Sequence, residues 1–495
     1  MGRIALMSAL IVKKRSNTFR VIKKSKSVNV IKGIFSVRGI IVSILGLLIS
    51  VYMLIVSPTK KDIRRIENVV SSRVAQRQSS LPIFVPEGKR KLNDAEIEKL
   101  EKDIKKVESS IFFSLSSETY FDIASFFFDQ AKFRKAIDYV NKSIQKKPLN
   151  QKSLLLRAVL HFYTGSYKKA LADTNIIIEK SEDEKAKAAA RLVKGFVLSL
   201  IGETIQSQDS LLKAASYLKK TGEPKEALII CYYMIASFYF NQAAYDLGEN
   251  YYFKVKAIAK QLESLEQKDW MTILLLAIIN LESDFKTLIE NCEKLLKINE
   301  ESFFLDLTQH IYRIAISIND SETFIMHIEN IIKFCQKYEI VYLEQYFKKI
   351  LFEYWLDNKK SFRNDLWQEI INSPTKILPV EADMYKAAGE FFLNQEDYAT
   401  ALDYLGAALE RYIQLNYQKD IVDTKINISH AELLLKNYFN SFKMLQSARD
   451  DIKLIFAQNL KKSYMSKRAS EEIGMLKIQL DSVEKLISVI EKLLQ

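Results

Sequence analysis

Apolar positions recur at helical spacing along most of this chain, and from residue 117 they fall into a repeating unit. In 117–150 one stripe runs through Tyr120, Ile123, Ala124 and Phe127, and a second through Ala136, Ile137, Val140 and Ile144. The polar stretch 129–132 between them has the length of a tight helix–helix turn, and Pro148 falls where the second helix must stop. Residues 151–184 then repeat the pattern, pairing Ala124 with Ala158, Phe133 with Tyr167, Ala136 with Ala170 and Ser143 with Ile177 at a period of 34 residues. A fixed period of that length with helical spacing inside it predicts stacked helical hairpins, each burying its apolar face against its neighbours.

The residues of the first copy resemble the tetratricopeptide repeat (TPR) at Tyr120, Ile123, Ala124, Phe127, Phe133, Ala136, Val140, Ser143 and Pro148. The second copy keeps Leu154, Ala158, Gly165, Tyr167 and Ala170 but has Glu182 at the proline position. Further copies are marked by Ala236, Tyr239, Tyr245, Gly248 and Tyr252 in 229–262, by Tyr385, Gly389, Tyr398, Ala401 and Ala408 in 382–415, and by Ile428, Tyr438, Leu445 and Ala448 in 422–455. Residues 188–221 and 269–302 carry weaker copies, and 303–374 is amphipathic without the signature, as degenerate hairpins would be. The fold expected is all-α, a right-handed TPR-like solenoid at 117–302 with C-terminal repeats at 375–455. In the last segment, 456–495, Ile473, Leu476, Leu480, Val483, Ile487, Ile490 and Leu494 follow a 3,4 spacing that would serve either as a cap on the solenoid or as a coiled-coil seam for self-association.

Ahead of the repeats stands a different kind of sequence. Residues 39–56 carry no charge over a length of about 27 Å as a helix, close to a hydrocarbon core of about 30 Å, and predict a single transmembrane anchor. The tail 1–38 is basic, with no acidic residue before Asp62, which favours a cytoplasmic tail and repeats on the periplasmic side of an inner membrane. Lys60, Lys61, Arg64 and Arg65 on the other flank pull the opposite way. Residues 57–92 hold Pro82, Pro86 and Gly88 and read as a tether, and 93–116 opens on Asn93 and Asp94 as a capping helix would. The net charge of +13 is confined to this region: residues 1–92 hold 19 basic and 3 acidic residues, leaving 54 basic and 57 acidic in the body. A near-neutral body has no electrostatic footprint for nucleic acid.

Candidate chemistry is sparse. His161, His310, His327 and His430 stand in separate hairpins, and Cys231, Cys292 and Cys335 lack metal-ligand spacing. No glycine-rich phosphate loop occurs, so no cofactor, metal or catalytic residue is expected and the chain reads as a non-enzyme. In the TPR family the first helix of each repeat lines a concave groove for a peptide or partner helix. The resemblance therefore implies a partner groove at Phe121, Ser125, Phe128, Leu155, Val159, Phe162, Tyr163, Tyr233 and Phe240, unless the chain's own residues 93–110 fill it. The layout resembles membrane-anchored bacterial periplasmic TPR scaffolds, and the Lys-, Ile-, Asn- and Phe-rich composition resembles spirochaetal proteins, whose flagellar motor collar includes such subunits. A second reading is a cytosol-facing receptor or adaptor, similar to anchored mitochondrial import receptors. Phe121, Ser125 and Leu156 stand where those carry a lysine/asparagine clamp for chaperone tails, so that clamp is absent. On either reading the partners are proteins of a membrane complex, with a homo-oligomer as a further expectation.

Overall fold

The computed structural model describes residues 115–221, 225–263, 303–317, 320–359, 361–459 and 467–494, together with Glu98 and Glu293. The tail 1–38, the apolar span 39–56, the tether 57–92, nearly all of 93–116, Cys292 and most of the weak copy at 269–302 lie outside the described residues.

The 34-residue period appears as helical hairpins. The first four pair α1 (Ser117–Asp129) with α2 (Phe133–Lys146), α3 (Gln151–Tyr163) with α4 (Tyr167–Lys180), α5 (Glu184–Leu200) with α6 (Thr204–Thr221), and α7 (Lys225–Asn241) with α8 (Tyr245–Glu263). After α9 (Phe303–Ile316), α10 (Ser321–Lys337) pairs with α11 (Val341–Tyr354), which runs into a π-helical turn at Trp355–Lys359 and then a short α12 (Asn364–Ile371). Two more hairpins follow, α13 (Leu378–Asn394) with α14 (Tyr398–Leu415) and α15 (Gln418–Leu434) with α16 (Tyr438–Asn459), and α17 (Lys467–Leu494) closes the stack. Among the described residues every regular element is helical.

The alanine positions of the repeat explain how the paired helices meet. Ala124, Ala136, Ala158 and Ala170 are completely buried, so the backbones approach where a larger side chain would hold them apart. Small polar residues knit the same crossings. The Ser207 hydroxyl donates to the Gly195 carbonyl at 2.6 Å and the Ser441 hydroxyl to the Ser429 carbonyl at 2.9 Å, in equivalent places of two hairpins. Ser143, paired in sequence with Ile177, is fully buried in a chain of hydroxyls with Ser117 and Ser153, both within 3.0 Å. Side-chain caps from Ser116, Asp183, Asp320 and Asp397 occupy orphan N–H groups at the starts of α1, α5, α10 and α14.

Each turn inside a hairpin uses one residue of left-handed backbone: Ala131, Gly165, Gly202, Ala243, Glu339, Glu396 and Lys436. Most of these are not glycine, so the turn itself does not demand one. The two glycines mark something else. A Cβ on Gly165 would stand 2.7 Å from Thr375 Oγ1, and one on Gly202 would stand 2.3 Å from Leu378 Cδ2. Those neighbours belong to the second half of the chain.

The contact is systematic. The Arg134 guanidinium donates to Glu339 at 2.7 Å, the Thr375 hydroxyl to the Gly165 carbonyl at 3.5 Å, and the Thr204 hydroxyl to the Leu415 carbonyl at 3.1 Å. The Asn459 amide accepts from Tyr245 N at 3.1 Å and donates to the Ala243 carbonyl at 2.8 Å. Sequence separations along this series are 205, 210, 211 and 214 residues, about six 34-residue units. The hairpin turns of α1–α8 thus form a lower tier, and successive ends of α10–α16 rest on them rung by rung. Apolar packing follows the same line: one core runs from Tyr120 to Ala388, and a second joins Ala243 and Tyr245 to Leu445, Ile455 and Ile487. Helix-to-helix packing is mainly between sequence neighbours, as a solenoid requires, with the rungs as an added set of long-range contacts.

Candidate functional site

Of the nine residues expected to form an aromatic groove, five are buried and four are half-buried. Leu155, Val159, Phe162 and Tyr163 are buried at 1–2 % exposure in the main core, and Phe121 is buried there too. The cause is local. Along α3 the run Ser153–Leu156 and then Ala158–Tyr163 are all buried, so neighbouring helices cover almost every side of it. Tyr163 stacks on Phe133 at 5.0 Å and Phe162 lies 6.3 Å from Phe196. Phe128 is half-buried against Phe133 and Tyr163, Ser125 turns its hydroxyl back to the Phe121 carbonyl at 2.9 Å, and Tyr233 is half-buried on the core. Phe240 packs over Gly248 inside its own hairpin, where an added Cβ would meet its ring at 2.8 Å. The nine are therefore not gathered on one open wall.

The terminal seam is laid against the protein rather than left open. Leu476, Val483, Ile487 and Ile490 are buried with Val422, Leu445, Ile452 and Ile455, and Ile473 and Leu480 pack beside them. Leu494 is 46 % exposed. In this chain the stripe caps the last hairpin.

What the second tier does offer is a row of ionic side chains across α11, α13 and α15. Lys349 Nζ lies 2.5 Å from Asp383 Oδ2 and 3.4 Å from Glu353, and the Tyr412 hydroxyl donates to the other Asp383 oxygen at 2.8 Å. One helix further, Lys386 Nζ lies 2.8 Å from Asp420 and 3.8 Å from Asp423. The Asn427 amide donates to Glu390 at 2.9 Å, and the Gln479 amide of α17 donates to Asp423 at 2.8 Å. Lys349 to Asp383 and Lys386 to Asp420 are each 34 residues apart, so the repeat itself sets the ladder: a lysine in one unit meets an aspartate in the next.

Two lysines face five carboxylates in this row, and its protonation reflects the imbalance. Burial raises the Glu353 carboxyl to about 7, with repulsion from Asp383 and Asp357 added against the pull of Lys349. Glu390 is also raised, by burial first and by Asp423 and Asp357, although Lys386 and Asn427 oppose the shift. Asp357 acts on both carboxylates from the π-helical turn after α11, a local irregularity of a kind often found at functional sites. Burial works against the charge of Lys386, but Asp420, Asp423 and Glu390 outweigh it and raise its pKa. Tyrosines flank this row: the Tyr342 and Tyr346 rings lie 6.4 Å apart and the Tyr412 and Tyr417 rings 6.3 Å apart. Burial raises the pKa of Tyr342, with Tyr346, Tyr167, Tyr417 and Asp383 adding to the shift, and burial raises that of Tyr417 as well. The arrangement can bind and orient cations or hydrogen-bonding groups; it contains no nucleophile–base pair.

The histidines and cysteines take no part in it. His161 is buried in the core, and burial depresses its pKa to about 4. Cys231 and Cys335 are free and buried, and burial raises both thiols. Among the described residues no group of three or more His, Cys, Asp or Glu is arranged to hold a metal ion.

No protein-family model matches the sequence, and no curated protein matches it. Solved structures with similar helical build include the crystal structure of yeast Tom70, 12% identical with a TM-score of 0.33 over 80% of this chain and 93% of that one. The P58(IPK) TPR domain is 14% identical with a TM-score of 0.23, covering 75% of this chain and 98% of that one. The Cut9–Hcn1 hetero-tetramer of the APC/C is 11% identical with a TM-score of 0.19, covering 78% and 98%. At those scores no property of these proteins carries over, and the solenoid description rests on the hairpins, their period and their packing.

Proposed function

We propose that this chain is a non-enzymatic, membrane-anchored TPR-like scaffold, and that its partner surface is the ionic row of the second tier rather than an aromatic groove of the first. One observation carries the reading: Lys349–Asp383 and Lys386–Asp420 each join residues 34 apart on successive second-tier helices, with carboxylates in excess over lysines. A repeat protein that places like ion pairs on successive units offers a guest a similar contact in each. Ion pairs that remain partly solvated give specificity and on-rate more than affinity, so tight assembly would come from several copies acting together.

The anchor is the uncharged span 39–56, and the basic tail ahead of it supports a cytoplasmic N-terminus with the repeats on the periplasmic face of an inner membrane. Among the described residues no helix is long and apolar enough to cross a membrane, so the anchor reading rests on the sequence of that span alone. A narrower reading, a flagellar motor collar or stator-supporting subunit, draws on layout and composition. The opposite orientation would make the chain a cytosol-facing adaptor, and the basic flank at 60–65 supports it.

Two measurements test the proposal. An alkaline-phosphatase fusion at the C-terminus, active in a bacterial host, is the expected result; an inactive fusion, with the chain inserted in the membrane, rejects the periplasmic orientation. Photo-crosslinkers placed at Asp423 and Glu390 in native membranes are expected to capture the same protein. Capture from Leu149 or Phe439, exposed on other parts of the surface, with nothing at the row would move the partner surface elsewhere.

A further inference from the structure

The two outer edges of the tiers carry the parts of a rung without the rung itself. Helices alternate in direction, so the two ends of each lie on opposite edges of its tier. α2, α4 and α6 begin at the rungs, and their far ends, at 146–150, 180–184 and 219–221, run along the outer edge of the lower tier. α10, α12 and α14 end at the rungs, and their beginnings, near 320, 363 and 397, run along the outer edge of the upper tier. Where rungs are made, Ala131, Tyr167, Thr204 and Tyr245 are buried, whereas Lys147, Leu149, Asp320 and Glu396 on the outer edges are exposed.

Leu149 shows the likeness most directly. Pro148 and Leu149 stand between α2 and α3 as Pro374 and Thr375 stand between α12 and α13, and Thr375 makes a rung through the Gly165 carbonyl. Leu149 is 54% exposed instead. On the other outer edge the end of α9 presents Ile316, 51% exposed.

Charge fits the same pairing. Exposed Lys146 and Lys147 adjoin Leu149, and exposed Asp320 and Glu322 follow Ile316. Four helices further along, the lower edge shows Lys219 and Lys220 and the upper edge Glu396 and Asp397, all exposed. The steps match: 219 − 146 = 73 residues on one edge and 396 − 320 = 76 on the other. The position between them sets Glu182 and Asp183 against Arg363, which Asp365 already holds at 2.5 Å.

We propose that the upper edge of one copy of this chain receives the lower edge of a second copy, with Leu149 beside Ile316 and the two lysine pairs on the two acidic pairs. Copies then stack in the order in which the tiers of one chain stack. Covered turns carry Ala131, Gly165, Gly202 and Ala243 at their left-handed positions, whereas the upper edge carries Glu396 and Lys436, so this contact is more ionic and shallower than a rung within the chain. A hairpin is about 10 Å wide and two helix layers about 20 Å deep, so three positions cover roughly 600 Å² on each copy. A standard interface takes about 800 Å² per partner. The contact is weak between dissolved copies and gains strength where many are held on one surface. It joins two different surfaces, so it is not used up in a two-fold pair and can add further copies. It uses helix ends and leaves the ionic row to other partners.

The test uses the full chain in detergent, as two differently tagged pools in a Cys292→Ser background; Cys231 and Cys335 are buried. One pool carries Leu149→Cys and the other Ile316→Cys. Oxidation by copper–phenanthroline is expected to join the two pools roughly tenfold more than it joins either to Phe253→Cys, a position exposed on α8, because docking raises the local concentration of the matched thiols. The yield should fall severalfold between about 0.02 M and about 0.5 M salt. Lys146→Glu/Lys147→Glu in the first pool should cut it about tenfold, and Glu322→Lys in the second pool should restore most of the loss. Asp320 is left in place because it caps α10. Lys219→Glu/Lys220→Glu, at the other matched position, should lower the yield as well, and circular dichroism with thermal melting checks that each variant keeps its fold. The proposal fails if the mixed link does not exceed the Phe253→Cys control or if charge reversal leaves it unchanged. It also fails if Leu149→Cys copies join one another in preference, which would be a symmetric contact of the lower edge alone. Absence of these links together with capture of a different protein at Asp423 would reject the stacking and leave the partner surface at the row.

Discussion

Gly202→Ala separates the requirement of a turn from that of a tier contact. The residue sits at φ +86°, where an alanine costs about 1–2 kcal/mol, because its Cβ crowds the backbone. That cost is tolerable, as Ala131 and Ala243 show in equivalent turns at φ 54°. The larger penalty is spatial. The new methyl would lie 2.3 Å from Leu378 Cδ2 and 3.3 Å from Gln414 Nε2, and Leu378 packs on the small cluster around Ala382, Tyr412 and Ile421. Forcing that leucine aside is an overpacking change worth about 1–3 kcal/mol, so the total is about 2–5 kcal/mol. Gly406→Ala is the matched control: it lies inside α14 with nothing within 4 Å of the added carbon, and should gain about 0.5–1 kcal/mol from helix propensity. Denaturant unfolding gives the totals, and native-state hydrogen exchange gives the location. The expected signature is lost protection in α13 and α14, more than 170 residues from the substitution, at the far side of the rung. A cost no greater than the turn term, with protection lost only in α5 and α6, would refute the idea that the tiers are held in register at Gly202.

Other substitutions probe separate parts of the argument. Arg157 donates through Nε and Nη2 to Asp173 at 2.8 and 2.7 Å and through Nη1 to Asn141, tying α2, α3 and α4 together, and Asp173 is 4% exposed. Arg157→Met should cost about 3 kcal/mol in thermal unfolding, most of it recovered when Asp173→Leu is added, because the penalty is the stranded charge. His161 has a folded pKa of about 4, below its ordinary 6.5, so the unfolded chain binds its proton first and stability falls as pH drops from 6.5 to 4. The span amounts to about 2–3 kcal/mol, and His161→Phe, which copies the buried Phe127 one repeat earlier, should abolish that share. Glu353 runs the other way: its folded pKa of about 7 exceeds the unfolded value, so its contribution is favourable at low pH and is lost as pH rises from 4.5 to 7. Discounted for its partial exposure this is about 1 kcal/mol, and Glu353→Gln should flatten it without altering the His161 window. Asn459→Leu removes the amide that serves both Tyr245 N and the Ala243 carbonyl, and should cost about 2–3 kcal/mol while freeing α8 from α16 in hydrogen exchange.

The hairpins were legible because their signal is local. Alanines at the crossings, an aromatic at the start of the second helix and a polar turn suffice to place α1–α4, and the same marks identify α13–α16. The rungs were not legible, since Thr204 and Leu415 are joined by tier stacking and nothing in either segment names the other. Only Gly165 and Gly202 hinted at them, as glycines in turns that otherwise accept alanine, glutamate or lysine. The groove expectation transferred exposed positions onto α3, although its sequence QKSLLLRAVLHFY has scarcely a polar stripe to put in water. That same feature, a helix apolar nearly all round, would have signalled burial. The ionic row is present in the sequence as lysine and aspartate 34 residues apart, but in a chain with 73 basic and 60 acidic residues such a pair carries no local mark that sets it off from solvated charges.

A coil whose successive windings touch has a pitch, and pitch restricts how such a gene grows. An isolated stack can gain or lose a unit anywhere, because each unit knows only the one beside it. Here, dropping a single unit between Arg134 and Glu339 would bring the wrong helix end over every lower turn, setting Gly165 and Gly202 against side chains they have no hollow to receive. Duplications are therefore tolerable in whole windings, and the number of units between the tiers becomes as constrained as a core residue.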